Sequence, residues 1–453
     1  MSIRLLKTRY SLLVQCALFK TPFSDKITPY RALLALRYRQ NCALNTAHTF
    51  NHKPYMMNNF TSVNNHDDSQ TPQIKGTVLN RFKPLKDAFV HNFTRHHETG
   101  AAICVYHNEQ LVVNLYGNNK HASPWQANHR VSVMSCSKAM LAICIHKLAA
   151  NRQIELDAPI CRYWPEFAKH NKAHITIASV LNHSAGLPCH STGKPHDIFD
   201  WQTSISNLES AKPIFLAGQK LVYHALTYGH ILGEVLRRVD GRMPSTYFEQ
   251  EIAQPLEIDC ALKRQENYPH RDIKPSSAFS RFGLKIMSRY LPYIPYWKYQ
   301  YFRPCSEHYH PNSSAWHTSE IPAVSGYASA LGLAKMYAFL ANGGTLTGKT
   351  LLPPSQVKTM TQLSFAGQEL ATQKQWRMGK GMMLNSPNFC PMGPNLETFG
   401  HMGMGGSIGF ADPKSQLAFA YVTESFHTPN KYDKSFCGKR QQNLIKGLYK
   451  SLL

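Results

Sequence analysis

The sequence predicts an α+β fold in which strands from both ends of the folded region form one antiparallel sheet. Residues 101–106 and 111–116 are strand-like, and a four-residue loop separates them. Near the other end, residues 407–410 and 416–422 flank an Ala-Asp-Pro-Lys turn signal. Helices and loops dominate the middle, and we expect a helical insert at about 182–320.

The other predicted elements are helices, placed by apolar residues at helical spacing and by flanking turn residues. The helix that begins near Ser135 is apolar on all sides, which is typical of a buried helix. The remaining helical segments are 82–93, 175–181, 225–240, 244–252, 328–341 and 439–452.

The first 75 residues differ from the rest of the chain. Asp25 is their only acidic residue before Asp67, whereas lysine and arginine are frequent. We interpret residues 1–75 as a basic extension with a polar linker from 51 to 75, and residues 76–453 as the folded domain. Residues 11–19 could form a short signal core, but no typical cleavage site follows them.

The composition limits the classes of function. The 453 residues carry a formal charge of +23, which favours an anionic partner such as a membrane surface. No nucleic-acid-binding motif accompanies the charge, so nucleic acid is not expected. The 11 cysteines form no C-x-x-C pair, which argues against a zinc ribbon or a thioredoxin-like site. They are odd in number and several lie in apolar runs, so we expect a reducing, cytoplasmic location. Peripheral membrane attachment and export are the alternatives.

Ser135 and Lys138 form an S-x-x-K motif at the start of the apolar helix. Residues at i and i+3 share one face of a helix, so the two side chains can touch. A buried lysine loses its proton more readily and can then activate a serine hydroxyl. Ser191/Lys194 and Ser355/Lys358 repeat the motif in polar surroundings, where chance is the simpler explanation.

The order of further motifs resembles that of the serine β-lactamase and penicillin-binding superfamily, class C-like branch. The matching segments are 181–188 (LNHSAGLP), 223–229 (YHALTYG), 340–344 (LANGG) and 401–413 (HMGMGGSIGFADP). The resemblance implies a β-lactamase/transpeptidase-like fold. It also implies an acyl-enzyme on Ser135, with Lys138 as base and Tyr223 as proton shuttle.

Two departures favour an esterase. Ala225 stands where lactam-cleaving members have an asparagine, and His401 stands where they have the lysine of K-T-G. Losing both groups weakens recognition of a lactam. The pattern is similar to that of family VIII carboxylesterases and implies a small ester or lipid-like substrate. A β-lactamase, a D,D-peptidase and a non-catalytic binding module are the alternatives.

The resemblance also assigns supporting roles. His401 would complete the polar network, and the backbone N–H groups of Ser135 and Met404 would form the oxyanion hole. Gly403, Gly405 and Gly406 would let the backbone approach the substrate. Ser135 as a helix cap, Tyr223 as a core aromatic and His401 as a turn residue are the structural alternatives.

Neither a metal nor a cofactor is expected, because the 23 histidines include no H-E-x-x-H motif. An insert at 280–304 mixes aromatic and basic residues and contains no acid. It could be an interfacial lid that binds a lipid headgroup layer, or an aromatic loop packed on the body.

Overall fold

Strands from both ends of the folded region meet in one antiparallel sheet in the computed structural model. The structure describes residues 60–64, 72–119, 122–190, 195–274, 310–426 and 437–453. Within these ranges the main sheet has ten strands, which lie side by side in the order 60–64, 73–79, 110–118, 100–107, 417–423, 408–412, 399–402, 383–384, 375–378 and 365–368. The junction is the pairing of residues 100–107 with residues 417–423, where His107 lies opposite Leu417. The predicted α+β class is confirmed.

The strands of the main sheet are β1 (Phe60–Asn64), β2 (Gln73–Leu79), β3 (Gly100–His107), β4 (Gln110–Asn118), β11 (Phe365–Gln368), β12 (Gln375–Met378), β13 (Met383–Leu384), β14 (Phe399–Met402), β15 (Ile408–Asp412) and β16 (Leu417–Thr423). A smaller sheet contains β5 (Arg130–Ser132), β6 (Cys260–Ala261), β7 (His270–Arg271) and β8 (Tyr327–Ala328). A hairpin pairs β9 (Thr345–Leu346) with β10 (Lys349–Thr350).

The α-helices of the described ranges are α1 (Lys83–Arg95), α2 (Ser137–Ala150), α3 (Ile177–Leu181), α4 (Trp201–Ser210), α5 (Thr227–Asp240), α6 (Pro244–Phe248), α7 (Gln254–Leu256), α8 (Ser314–Thr318), α9 (Ala330–Ala341), α10 (Pro354–Thr361) and α11 (Lys439–Lys450). Each predicted helical segment overlaps one of them. None of the described helices is long and apolar enough to cross a membrane.

Both faces of the sheet are covered. Along β3, Ala102 and Cys104 belong to one buried cluster, whereas Ile103 and Val105 belong to the other. This alternation follows from the two-residue period of a strand. Helices α2 and α9 contribute to the first cluster, and α1 and α11 contribute to the second. The sheet is therefore the middle layer, and α2, which begins two residues after Ser135, packs in the larger core.

Two sequence-based expectations need correction. The strand β1 lies within the predicted linker and pairs along its whole length with β2. The sheet thus begins at Phe60, before the predicted domain start at residue 76. The loop between β3 and β4 has two residues and not four, because Asn108 and Glu109 both adopt positive φ angles of 50° and 63°. Such a pair fits the right-handed twist of a tight hairpin.

A buried ion pair joins α11 to the end of the sheet. Glu98 is fully buried and accepts hydrogen bonds from the hydroxyls of Thr423 (2.9 Å) and Tyr421. The guanidinium of Arg440 lies 3.6 Å from the same carboxylate. It also donates to the carbonyl oxygens of His96 (2.8 Å), His97 (2.6 Å) and Ser425 (3.1 Å).

We predict that Arg440→Met destabilises the fold by about 3–5 kcal/mol, because it leaves the Glu98 carboxylate buried without its cation. Urea unfolding followed by circular dichroism measures the change. Lys83→Met is the matched control, since Lys83 pairs with Asp87 at the exposed surface and should leave stability nearly unchanged. Equal effects of the two substitutions would contradict the prediction.

Candidate active site

A tight turn presents Ser135 at the entrance of α2. The chain leaves β5 and forms a single 3-10 turn over Met134–Cys136 before the helix begins. Met134 takes a left-handed backbone conformation (φ 49°), which is uncommon for a side chain of this kind. The hydroxyl of Ser137 holds the turn by donating to Met134 O and accepting from Gly326 N (2.8 Å). The surrounding chain thus imposes the conformation of the turn that carries Ser135.

The amine of Lys138 lies beneath Ser135 in a dry environment. The side chain is 1% exposed, and its Nζ lies 3.3 Å from Ser135 Oγ. The same nitrogen donates to the carbonyl oxygens of Ala225 (2.8 Å) and Ala323 (3.0 Å). Burial holds the pKa of Lys138 well below its usual value, since no carboxylate among the described residues pairs with it.

Tyr223 completes the group around the serine. Its phenol hydrogen-bonds Ser135, and Lys138 Nζ lies 4.7 Å from the centre of its ring. Burial raises the pKa of Tyr223, the hydrogen bond with Ser135 lowers it, and the nearby carboxylate of Glu369 raises it further. The phenol is therefore a neutral group that can relay a proton.

Two buried histidines fix the backbone around Tyr223. His183 accepts from the backbone N–H of His224 through Nδ1 (3.1 Å), and Leu187 N–H donates to His224 Nε2 (3.1 Å). The ring of His183 also packs against Tyr223, with 4.6 Å between ring centres. Burial lowers the pKa of both histidines, that of His224 to about 3, so both rings are neutral. They connect the 181–188 segment to the Tyr223 segment.

His401 lies on β14 with its ring centre 6.3 Å from that of Tyr223. Its Nδ1 donates to Met402 O (2.8 Å), which makes Nε2 the acceptor nitrogen. That Nε2 is buried and has no hydrogen-bond partner within the described part of the chain. Burial and the nearby Lys138 lower the pKa of His401 to about 3, so the ring carries no charge. His401 therefore lies near the predicted polar network, but no hydrogen bond within the described residues joins its Nε2 to that network.

A narrow cavity of about 50 Å³ opens beside these groups. Its lining is apolar apart from the hydroxyls of Ser135 and Tyr223 and consists of Met134, Ser135, Tyr223, Ala225, Val324, Trp376, Met383, Phe389, Met402 and Met404. The rings of Trp376 and Phe389 stack with 4.2 Å between their centres and form one wall. Ser135 and Met404, the two residues of the predicted oxyanion hole, both line this cavity. The hole itself stays a prediction.

Contacts within the protein require the glycines at 403 and 405. A Cβ at Gly403 would lie 2.2 Å from Val133 O, and one at Gly405 would lie 2.7 Å from the Phe426 ring. The backbone therefore lies close to the turn before α2 and to a partly buried aromatic ring, and the approach to a substrate stays a prediction. Gly405 and Gly406 also adopt positive φ angles of 94° and 119°, which a glycine adopts without strain.

Ser135, Lys138, Tyr223 and His401 are thus brought together, as the sequence predicted. Sequence reasoning missed the wall residues Trp376 and Phe389 and the carboxylate of Glu369, because none lies in a recognisable motif. The basic extension up to residue 59 and the 280–304 insert lie outside the described residues. No group of three or more potential metal ligands occurs within the described ranges.

Comparisons with known proteins agree with this geometry. Residues 85–436 match the Beta-lactamase family. The chain is 30% identical over 385 residues to the esterase/beta-lactamase LipL of Mycobacterium tuberculosis, covering 81% of this chain and 87% of that protein.

Two solved structures are also similar. A family VIII carboxylesterase aligns with a TM-score of 0.74 and 28% identity, covering 84% of this chain and 100% of the other. A penicillin-binding protein homologue from Caulobacter crescentus aligns with a TM-score of 0.72 and 30% identity, with the same coverage. The sequence, the fold and the S-x-x-K geometry lead to one conclusion: the chain belongs to the β-lactamase family of serine hydrolases.

Proposed function

We propose that this hydrolase cleaves carboxylic esters through an acyl-enzyme on Ser135. The position of the Lys138 amine is the observation that supports the proposal most. A neutral amine has two hydrogens and one lone pair. The carbonyl oxygens of Ala225 and Ala323 take the two hydrogens, which leaves the lone pair for the hydroxyl of Ser135.

Acylation follows from this arrangement. Lys138 takes the proton of Ser135 as its oxygen attacks the ester carbonyl, and the resulting oxyanion is held by the backbone N–H groups of Ser135 and Met404. The proton passes through Tyr223 to the departing alcohol, and the acyl group remains on Ser135. Water then attacks the acyl carbonyl, and its proton passes through Tyr223 to Lys138. Lys138 returns that proton to Ser135 Oγ as the bond between this oxygen and the acyl carbon breaks, which releases the acid and restores the serine.

An ester suits the site better than a lactam does. The carboxylate of a β-lactam antibiotic needs a cation, but none of the described cavity residues is charged. His401 is neutral, and Ala225 offers only a methyl group where a side-chain amide would hold the lactam. An uncharged ester avoids the cost of burying a carboxylate without a partner.

Lactam hydrolysis is the second candidate, because the relative LipL is named as both esterase and beta-lactamase. Parallel assays with p-nitrophenyl butyrate and nitrocefin separate the two. Rapid nitrocefin turnover without ester turnover would overturn the ester proposal. A folded protein that a fluorophosphonate does not label would favour the non-catalytic alternative.

We predict that Ser135→Ala lowers ester turnover to background, a loss of at least roughly 10⁴-fold, while the protein stays folded. The substitution removes one oxygen and no packing carbon. Initial rates, thermal unfolding and fluorophosphonate labelling of both proteins check the prediction. Near-normal turnover by the purified variant would exclude the acyl-enzyme on Ser135.

We predict that Tyr223→Phe lowers kcat by roughly 10²- to 10⁴-fold, because it removes the group that transfers the proton. Tyr228→Phe removes the same atom from a neighbouring buried tyrosine, whose hydroxyl faces Lys138 O at 3.5 Å. The control should keep most of the activity. If both variants lose activity equally, packing of the aromatic cluster and not proton transfer explains the loss.

We predict that Ala225→Asn combined with His401→Lys raises the nitrocefin-to-ester ratio of kcat/KM. The asparagine restores an amide and the lysine restores a cation at the edge of the cavity, and each restored contact contributes about 1–3 kcal/mol when it meets its partner. The ratio is the correct measure because specificity is a difference between transition-state energies. An unchanged ratio in the folded double variant would place selectivity in the cavity walls.

A further inference from the structure

Glu369 is a buried carboxylate that contacts both halves of the site without lining the cavity. It follows β11 directly and is fully buried. Leu221 and Glu369 form a parallel β-bridge, which joins the loop that contains Leu221 to the loop that contains Glu369. Within this bridge, Leu370 N–H donates to Leu221 O (2.9 Å). The carboxylate is thus placed beside the segment that carries Tyr223.

One carboxylate oxygen holds the proton-transfer residue. Oε1 of Glu369 accepts from the backbone N–H of Tyr223 at 3.1 Å. This bond fixes the main chain from which the phenol reaches Ser135. A shift of the backbone would move the phenol with it, and catalysis is sensitive to displacements of that scale.

The other oxygen holds the wall of the cavity. Oε2 accepts from the backbone N–H of Thr372 (2.6 Å), from its hydroxyl (2.7 Å) and from the N–H of Ala371 (3.0 Å). Because the Thr372 hydroxyl gives its hydrogen to Glu369, its oxygen is left to accept from Trp376 Nε1 (3.1 Å). The indole so fixed stacks on Phe389 and packs against Tyr223, with 5.3 Å between ring centres.

We propose that Glu369 is a positioning residue that sets both the proton-transfer geometry of Tyr223 and the position of the Trp376–Phe389 wall, and thereby the acyl groups the enzyme accepts. This inference rests on the proposed ester hydrolysis. The hydrogen bonds to Tyr223 and those to the Trp376–Phe389 wall start at one carboxylate. A change at Glu369 should therefore alter the rate and the acyl preference together.

The chemistry of the network requires a carboxylate at this position. All four groups that contact it are hydrogen donors. An amide would place its own N–H₂ against at least one of these donors and leave it unpaired. No lysine, arginine or histidine forms an ion pair with Glu369 in the described part of the chain, so neutral donors stabilise its charge.

Glu369→Gln tests the inference because the two side chains have nearly the same shape. The enzyme is first titrated with a fluorophosphonate, so that rates refer to active sites. Then kcat and KM are measured for p-nitrophenyl acetate, butyrate and octanoate. We expect kcat to fall by about 10- to 100-fold, because the amide leaves one of the buried donors around position 369 unpaired. This fold-change corresponds to the usual cost of one such donor. The octanoate-to-acetate ratio of kcat/KM should also change.

Thr372→Val and Thr372→Ser form a matched pair that tests the Thr372 hydroxyl. Valine keeps the shape but removes the hydroxyl between Glu369 and Trp376, whereas serine keeps the hydroxyl. We expect valine to change the octanoate-to-acetate ratio of kcat/KM. Serine should retain the wild-type ratio. If Glu369→Gln does not fold, this pair still tests whether the hydrogen bonds from Glu369 through Thr372 to Trp376 set the acyl preference.

Two results would overturn the inference. One is a folded Glu369→Gln enzyme with wild-type kcat per titrated site and wild-type chain-length preference. The other is an equal ratio for the valine and serine variants. A purely structural role would lower the titrated fraction and the melting temperature, without changing the acyl preference of the sites that remain. Failure of the wild-type enzyme to hydrolyse any of the esters would instead contradict the proposed function.

Discussion

The proposed chemistry of this protein depends on keeping water away from one amine. In water the Lys138 amine would be protonated at neutral pH and could not accept a proton. The buried position of α2 removes the solvent, and two backbone carbonyl groups orient the nitrogen. The turn at Met134, the neutral histidines and the apolar cavity are all compatible with a neutral amine, because each supplies shape or hydrogen bonds without adding a charge.

This arrangement also explains why the site contains so few charged groups. A carboxylate near Lys138 would stabilise its protonated form and remove the base. Glu369 lies close enough to hold the backbone of Tyr223, and both of its oxygens accept hydrogen bonds from neutral donors. In the proposed mechanism this negative charge positions Tyr223 and forms no ion pair with Lys138.

The sequence predicted what depends on local spacing. Ser135 and Lys138 were found because one helical turn separates them and apolar residues surround them. The strands near both ends were found because their side chains are apolar and turns bound them. The strand β1 was missed because its five residues, FTSVN, are largely polar, and the tight turn at Asn108–Glu109 lacks the glycine that usually marks one. Glu369 could not be found, because its contacts join segments that lie far apart in sequence.

The junction of the main sheet has a consequence for the synthesis of the chain. Since β3 pairs with β16, its open edge has no native neighbour until the residues up to Thr423 have left the ribosome. At roughly 5–20 residues per second, that interval lasts roughly 15 to 60 s. Contacts this distant in sequence slow folding, and an unpaired edge strand can pair with another chain in the meantime. Until β16 has been made, the edge of β3 in the nascent chain is therefore open to such pairing.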